Sequence, residues 1–173
     1  MKRLTTLLVP TFALLLGTAL VGAAVLSASA QQQPTAQDVV GTWKLISEKV
    51  QREGQTTEPL GSDPLGLMML DRSGRVMMTI SRRDLPKIAA NRRDAGTPEE
   101  NKGVLSGLLA YYGTYKVEPE GVLTYHIEAS TFPNWIGTDQ KRYFKLLGNE
   151  MTWTNYAPAI SGETAVLVWR RVD

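Results

Sequence analysis

The chain has no cysteine and a single histidine among its 173 residues. The first absence excludes disulfides, thiolate metal centres and lipid attached through cysteine. With His126 as the lone imidazole, a zinc or copper site would need a shell made almost wholly of carboxylates. No spacing of acids suggests one, so no metal is expected. An excess of one charge is missing as well. The 19 basic and 17 acidic residues give a formal charge of +2, and without Lys2 and Arg3 the basic count falls to 17, equal to the acids. That balance leaves no electrostatic footprint for nucleic acid. There is no phosphate-cradling glycine loop, no dinucleotide fingerprint and no other signal for a cofactor. Ser106 lies between Gly103 and Gly107 on a predicted helix, away from nucleophile-elbow spacing, which argues against a Ser-His-Asp hydrolase. Internal repeats are absent too.

A long apolar run occurs once, at the start. Met1, Lys2 and Arg3 precede an uncharged stretch from Leu4 to Leu26, and Ala28, Ser29 and Ala30 supply the small-x-small signal for cleavage before Gln31. We read residues 1–30 as a signal peptide, 31–38 as a flexible polar leader and 39–173 as one domain. The stretch is longer than a usual signal core and Pro10 interrupts it, so an uncleaved anchor is the alternative. Taking 30 residues from 173 leaves 143, enough for one core held by packing alone. A bacterial periplasm or the extracellular medium is the expected location, and a monomer the expected state.

From Gly41 onward the chain reads as short β-rich runs punctuated by turn residues. Strands are predicted at Trp43–Val50, Leu67–Leu70, Val76–Ile80, Tyr111–Val117, Val122–Ser130, Lys141–Leu147, Met151–Tyr156 and Thr164–Val172. Asp71 to Gly74, Pro119 to Gly121 and Gly148-Asn149 close hairpins between neighbours. The fold class is all-β: about eight antiparallel strands form an up-and-down barrel, the number at which such a sheet closes, with a sandwich as the competing architecture. One short mid-chain helix is predicted from Thr97 to about Leu109. Thr97 is its N-cap, Pro98 its first residue and Glu100 the capping-box partner, while Val104, Leu105, Leu108 and Leu109 share a face that would lie on the barrel or across its mouth. Leu85 to Leu109 is one long excursion between strands, suited to a lid.

Particular motifs carry a resemblance. Gly41-Thr42-Trp43 opens the first strand and Leu-Val-Trp-Arg-Arg-Val ends the last. Between them stand Thr97-Pro98-Glu99-Glu100, Tyr111-Tyr112-Gly113-Thr114-Tyr115, His126, and Phe132-Pro133-Asn134-Trp135-Ile136-Gly137-Thr138-Asp139-Gln140. Together these resemble the bacterial lipocalin-like domain family over about residues 39–172. The resemblance implies a lipocalin-like β-barrel with a central cavity and no activity common to the family. It also implies that Gly41 and Trp43 are structural, the tryptophan packing at the closed end against an arginine, Arg171 or alternatively Arg170. Unlike the better-known lipocalins, the sequence places its clear helix in mid-chain.

The residues that could meet a ligand follow from strand alternation. Thr124, His126, Glu128 and Ser130 share one face of their strand. Facing inward, His126 and Glu128 would form an acid/base site; facing outward, a solvated surface. Trp135 would stack on a ligand and Asn134 hydrogen-bond it, or both would simply rigidify a turn. One of Met68 and Met69, and one of Met77 and Met78, points inward, with Met69 and Met77 taken as candidate cavity walls. Tyr112, Tyr143 and Arg142 are further candidates, with their faces left open. Three functions remain open: a binding module for a small apolar or aromatic molecule, an isomerase or cyclase using His126 or a tyrosine, and a structural barrel filled by its own side chains. If the signal-peptide reading is right, the intact mass of exported protein begins at Gln31; full-length chain recovered from membranes would establish the anchor instead.

Overall fold

In the computed structural model, residues 34–160 and 162–172 are described; the expected signal peptide and the first residues of the leader lie outside them. Nine strands follow one another as β1 (Gly41–Arg52), β2 (Gln55–Thr57), β3 (Leu65–Leu70), β4 (Arg75–Ser81), β5 (Leu108–Glu118), β6 (Val122–Ser130), β7 (Asp139–Leu147), β8 (Glu150–Asn155) and β9 (Thr164–Arg171). All pairings are antiparallel. β1 pairs with both β3 and β9, so eight strands close into a barrel and the sandwich is excluded. β2 is the addition to the expected set. It folds back on the end of β1 through Glu53 and Gly54, both at positive φ, as a two-residue hairpin loop requires.

The polar segment before the barrel ends in one helical turn, α1 (Ala36–Val39), whose Asp38 carboxylate accepts from the Thr35 amide and hydroxyl. This turn covers the end of the barrel where β1 begins. Trp43 is fully buried there, its indole N–H donating to the Val39 carbonyl at 2.9 Å. The Arg171 guanidinium lies over the Trp43 ring, 4.2 Å from its centroid, and donates to the carbonyls of Val40 and Asp38. Cation–π attraction and satisfied backbone carbonyls thus fasten the first strand, the last strand and α1 together. Above them Leu45, Met68, Leu70, Phe144, Met151 and Trp169 fill this half of the interior.

Two bulges decide what faces inward. In β1, Leu45 pairs with Trp169 but Ser47 with Val168, so Ile46 is the extra residue. Trp43 and Leu45 are buried before it, Glu48 and Val50 after it; uninterrupted alternation would have turned Ser47 and Lys49 inward. In β6 the register slips opposite Tyr112 and Gly113. A Cβ at Gly113 would stand 1.9 Å from the His126 carbonyl oxygen, so only glycine permits the two backbones to approach there.

The excursion between β4 and β5 contains α2 (Pro98–Gly107). Thr97 Oγ1 accepts from the Glu100 amide at 3.2 Å, and Glu100 accepts in return from the Thr97 amide and also from Ala89. The cap therefore also ties the helix to the preceding loop. Gly103 and Gly107, one turn apart, receive Pro86 and Leu85, which a Cβ at either position would meet at 2.8 and 2.7 Å. The helix stops earlier than its apolar pattern suggests. Leu108 and Leu109 pair with Ser81 and Ile80, because extending β5 completes the ladder with β4. Replacing Trp43 by alanine removes the core of the closed end and should cost about 3–5 kcal/mol in a denaturant unfolding experiment; a change under about 0.5 kcal/mol would remove this residue from the stabilising core.

Candidate functional site

The other half of the barrel is open. A cavity of about 490 Å³ runs from mid-barrel up to the end where α2 lies. Its deep walls include Glu48, Met78, Tyr111, Arg142, Trp153 and Asn155, one or more from each of β1, β4, β5, β7 and β8. Its mouth is bordered by Lys102, Leu105 and Ser106 of α2, by Phe132 and Trp135 of the β6–β7 connection, by Pro59 and Leu60, and by Pro158 to Ile160 before β9. The inward positions explain the opening. Side chains near the closed end are large, whereas the small Ala165 is among the residues that line the cavity. Gly66 on β3 serves the packed half, since a Cβ there would meet Leu45 Cβ at 2.6 Å.

Trp135 sits in a 3₁₀ turn, Pro133–Trp135, that turns its ring inward against Phe132 and Tyr111, with centroids 5.8 and 6.0 Å away. The guanidinium carbon of Arg142 lies 5.2 Å from the Trp135 ring centroid and 5.2 Å from that of Trp153, which in turn stacks on Trp169. Arg142 is 1 % exposed. One amino group donates to the Lys141 carbonyl at 2.8 Å, Nε has no partner, and among the described residues no carboxylate lies within 4.0 Å of the guanidinium. Two aromatic faces offset part of the cost of burying this charge but do not neutralise it.

Glu48 reaches the same cavity without an ion-pair partner among the described residues, from which its Oε2 also accepts no hydrogen bond. Burial pushes its carboxyl from the ordinary 4.5 up to about 7. The Tyr111 hydroxyl is also without an aligned partner; burial raises its ionisation above the usual 10, and the nearby Arg142 charge opposes the shift only in part. The Trp153 indole N–H is the fourth unpaired polar group of the wall.

Of the residues singled out from sequence, Trp135 and Arg142 meet at this cavity. His126 does not. It lies on the outer surface with Nδ1 2.8 Å from Asp139, while the adjacent Glu128 holds Arg75 in a two-pronged pair at 2.6 and 2.9 Å. β6 turns His126 and Glu128 of that row to solvent, though not the buried Thr124, because Leu123, Tyr125 and Ile127 fill the opposite, inward face. Of the two orientations open from the sequence, His126 and Glu128 take the outward one, the histidine hydrogen-bonded to Asp139 and Glu128 ion-paired with Arg75 on the surface. Met69, Met77 and Tyr112 also face outward. They pair across strands in one row ending at Ala129, and form a shallow apolar depression on the outside; the inward members of these doublets are Met68, Met78 and Tyr111. Asn134 is exposed in its turn. Glu48, Tyr111, Trp153 and Asn155 are the wall residues that sequence reasoning passed over.

Residues 40–172 match the lipocalin-like domain family, and the chain belongs to it. The chain is also similar to a 4'-hydroxy-3'-methoxypropiophenone carrier protein of Aspergillus oryzae, with 33% identity over 89 residues, 45% of this chain and 79% of that protein. A barrel of this family with an open interior is built for binding a ligand.

The Glu48 carboxyl makes stability depend on pH. An acid whose ionisation is raised in the fold binds its proton more tightly there, so stability falls as pH climbs from about 4.5 toward 7 and levels off above. At about pH 8, Glu48→Gln should therefore stabilise the protein by up to about 3 kcal/mol, with little difference near pH 4. Parallel unfolding curves for the two proteins at each pH give the measurement, and equal differences at both would show that Glu48 does not carry the effect.

Proposed function

We propose that the protein is an exported carrier that holds one small hydrophobic or aromatic molecule inside its barrel. The observation that carries this reading is the cavity itself: about 490 Å³, within the range of small-molecule sites, with mostly apolar walls and a few convergent polar groups. Its walls come from a single barrel, which suits a carrier acting as a monomer. Trp135, Phe132 and Tyr111 offer flat surfaces to a ring. The Aspergillus oryzae relative, named as a carrier of 4'-hydroxy-3'-methoxypropiophenone, a phenolic ketone, supports a guest of that size and chemistry. Export rests on the basic start, apolar stretch and Ala28-Ser29-Ala30 of the sequence. Of the two groups the enzyme alternative would use, the histidine lies on the outer surface, whereas a tyrosine, Tyr111, stands in the cavity wall.

Protein purified from its own host and extracted into organic solvent should yield an enriched lipophile at close to one molecule per chain by mass spectrometry. Titration of that compound back into stripped protein should show one saturable site by calorimetry. Trp135→Ala should weaken it about tenfold while the folded protein keeps its melting transition. Solvent extracts without any enriched compound, together with no heat of binding from aromatic test molecules, would leave the barrel as a structural element only.

A further inference from the structure

We infer that the molecule carried is an aromatic oxyanion, an aryl carboxylate or phenolate, whose charged oxygen is held at the deep end of the cavity by Arg142 while its ring lies toward Trp135 and the mouth. The inference rests on the carrier reading and names the chemistry of the guest. Its basis is the character of the unpaired groups. Glu48, Tyr111, Arg142 and Trp153 line the cavity; among the described residues Glu48 Oε2, Arg142 Nε and Trp153 Nε1 are buried without a hydrogen-bond partner, and the buried Tyr111 hydroxyl lies beside Arg142 without an aligned bond. Tyr111, Arg142 and Trp153 each bring a hydrogen to donate, and arginine and tryptophan can only donate. A wall with this surplus of donors fits a guest whose end is rich in acceptors.

Charge narrows the class further. A guanidinium that is 1 % exposed, with no carboxylate within 4.0 Å among the described residues, costs several kcal/mol unless a counter-charge arrives. A neutral carbonyl would satisfy one N–H and leave the charge standing. An oxyanion does both, through charge-assisted bonds that are roughly twice as strong as neutral ones. The alternative internal counter-ion is Glu48, which faces the same space but does not reach Arg142.

Glu48 then sets the pH range of capture. The groups sharing its space are Leu167 opposite it on β9, Trp153 and Asn155 on β8, Arg142 on β7, Tyr111 on β5 and Lys102 on α2, the last of these exposed. Arg142 supplies a permanent positive charge and the Tyr111 hydroxyl stays neutral. With Glu48 protonated, the deep cavity is net positive and accepts an anion. Once burial no longer keeps the proton on, above about 7, a second negative charge competes for Arg142 and repels the guest.

The test uses two probes of nearly equal shape, 2-naphthoate and its neutral methyl ketone counterpart 2-acetonaphthone, titrated by calorimetry into the purified protein. At about pH 6 the carboxylate should bind about tenfold or more tightly than the ketone. Arg142→Met should abolish that preference by weakening the carboxylate at least about tenfold more than the ketone, and should not lower the melting temperature, because it removes an unpaired buried charge. Between about pH 6 and pH 8, naphthoate affinity of the wild type should fall about threefold or more and that of Glu48→Gln should stay flat. This second arm keeps the test decisive if the arginine variant does not fold. Ketone binding equal to or tighter than carboxylate binding in the wild type would overturn the oxyanion inference and leave the carrier reading intact. Failure of both probes to bind at millimolar concentration would take down the carrier reading and this inference together.

Discussion

Closure of the sheet between β1 and β9 governs everything else in this molecule. Once the two end strands pair, every second residue of eight strands is committed to one shared interior and no strand edge of the barrel remains open along that seam. The Trp43–Arg171 stack and the carbonyls of α1 secure that seam at one end. Because the seam is fixed there, large side chains can fill the adjacent half solidly. The other half is free to stay open under α2 without loss of the fold. Stability and capacity are thereby assigned to opposite ends of one barrel.

The phase of each strand is the second constraint, and it is set locally. One extra residue, Ile46, turns an acidic side chain from the solvent face into the interior, and Gly113 lets β5 and β6 slip register without separating. The chemical character of the cavity depends on such irregularities as much as on composition. An interior holding Arg142 and Glu48, unpaired with each other, is less stable than an apolar one of the same shape. Persistence of strained or uncompensated groups at a binding site is the usual form of the trade between stability and function.

The architecture was legible in the sequence because turn residues fall between strands of regular length and because the Thr97 cap pairs with Glu100. All eight expected strands are present within a few residues, and the missing one, β2, is only Gln55–Thr57 with no buried residue to mark it. The site was less legible, for reasons that differ by position. In β3, Leu65, Leu67 and Met69 are apolar although they face outward, so no alternation separates Met69 from Met68. In β4 a signal did exist: Arg75, Thr79 and Ser81 mark the solvent face, which makes Met77 outward and Met78 inward. Lys116 and Glu118 mark the phase of β5 in the same way and point to Tyr111 over Tyr112. Trp153 alternates with Met151 and Asn155 and was open to the same argument. Glu48 was not, since a bulge leaves no trace in the pattern of polar and apolar residues around Ser47 and Lys49.

The four tryptophans of the chain divide along the same line as the barrel. Trp43 and Trp169 lie in the packed half, fully buried, while Trp135 and Trp153 line the cavity, with Trp153 stacked on Trp169 at an interplanar angle of 7°. Intrinsic emission from this protein therefore has two origins: Trp43, remote from the contents of the barrel, and a group of Trp135, Trp153 and Trp169, of which the first two meet those contents and the third is stacked on Trp153 at 5.8 Å. An aromatic guest beside Arg142 would alter the surroundings of that group while Trp43 continued to report only that the fold was intact. The arrangement makes the barrel its own optical gauge, able to register occupancy and folding as separate signals without any label.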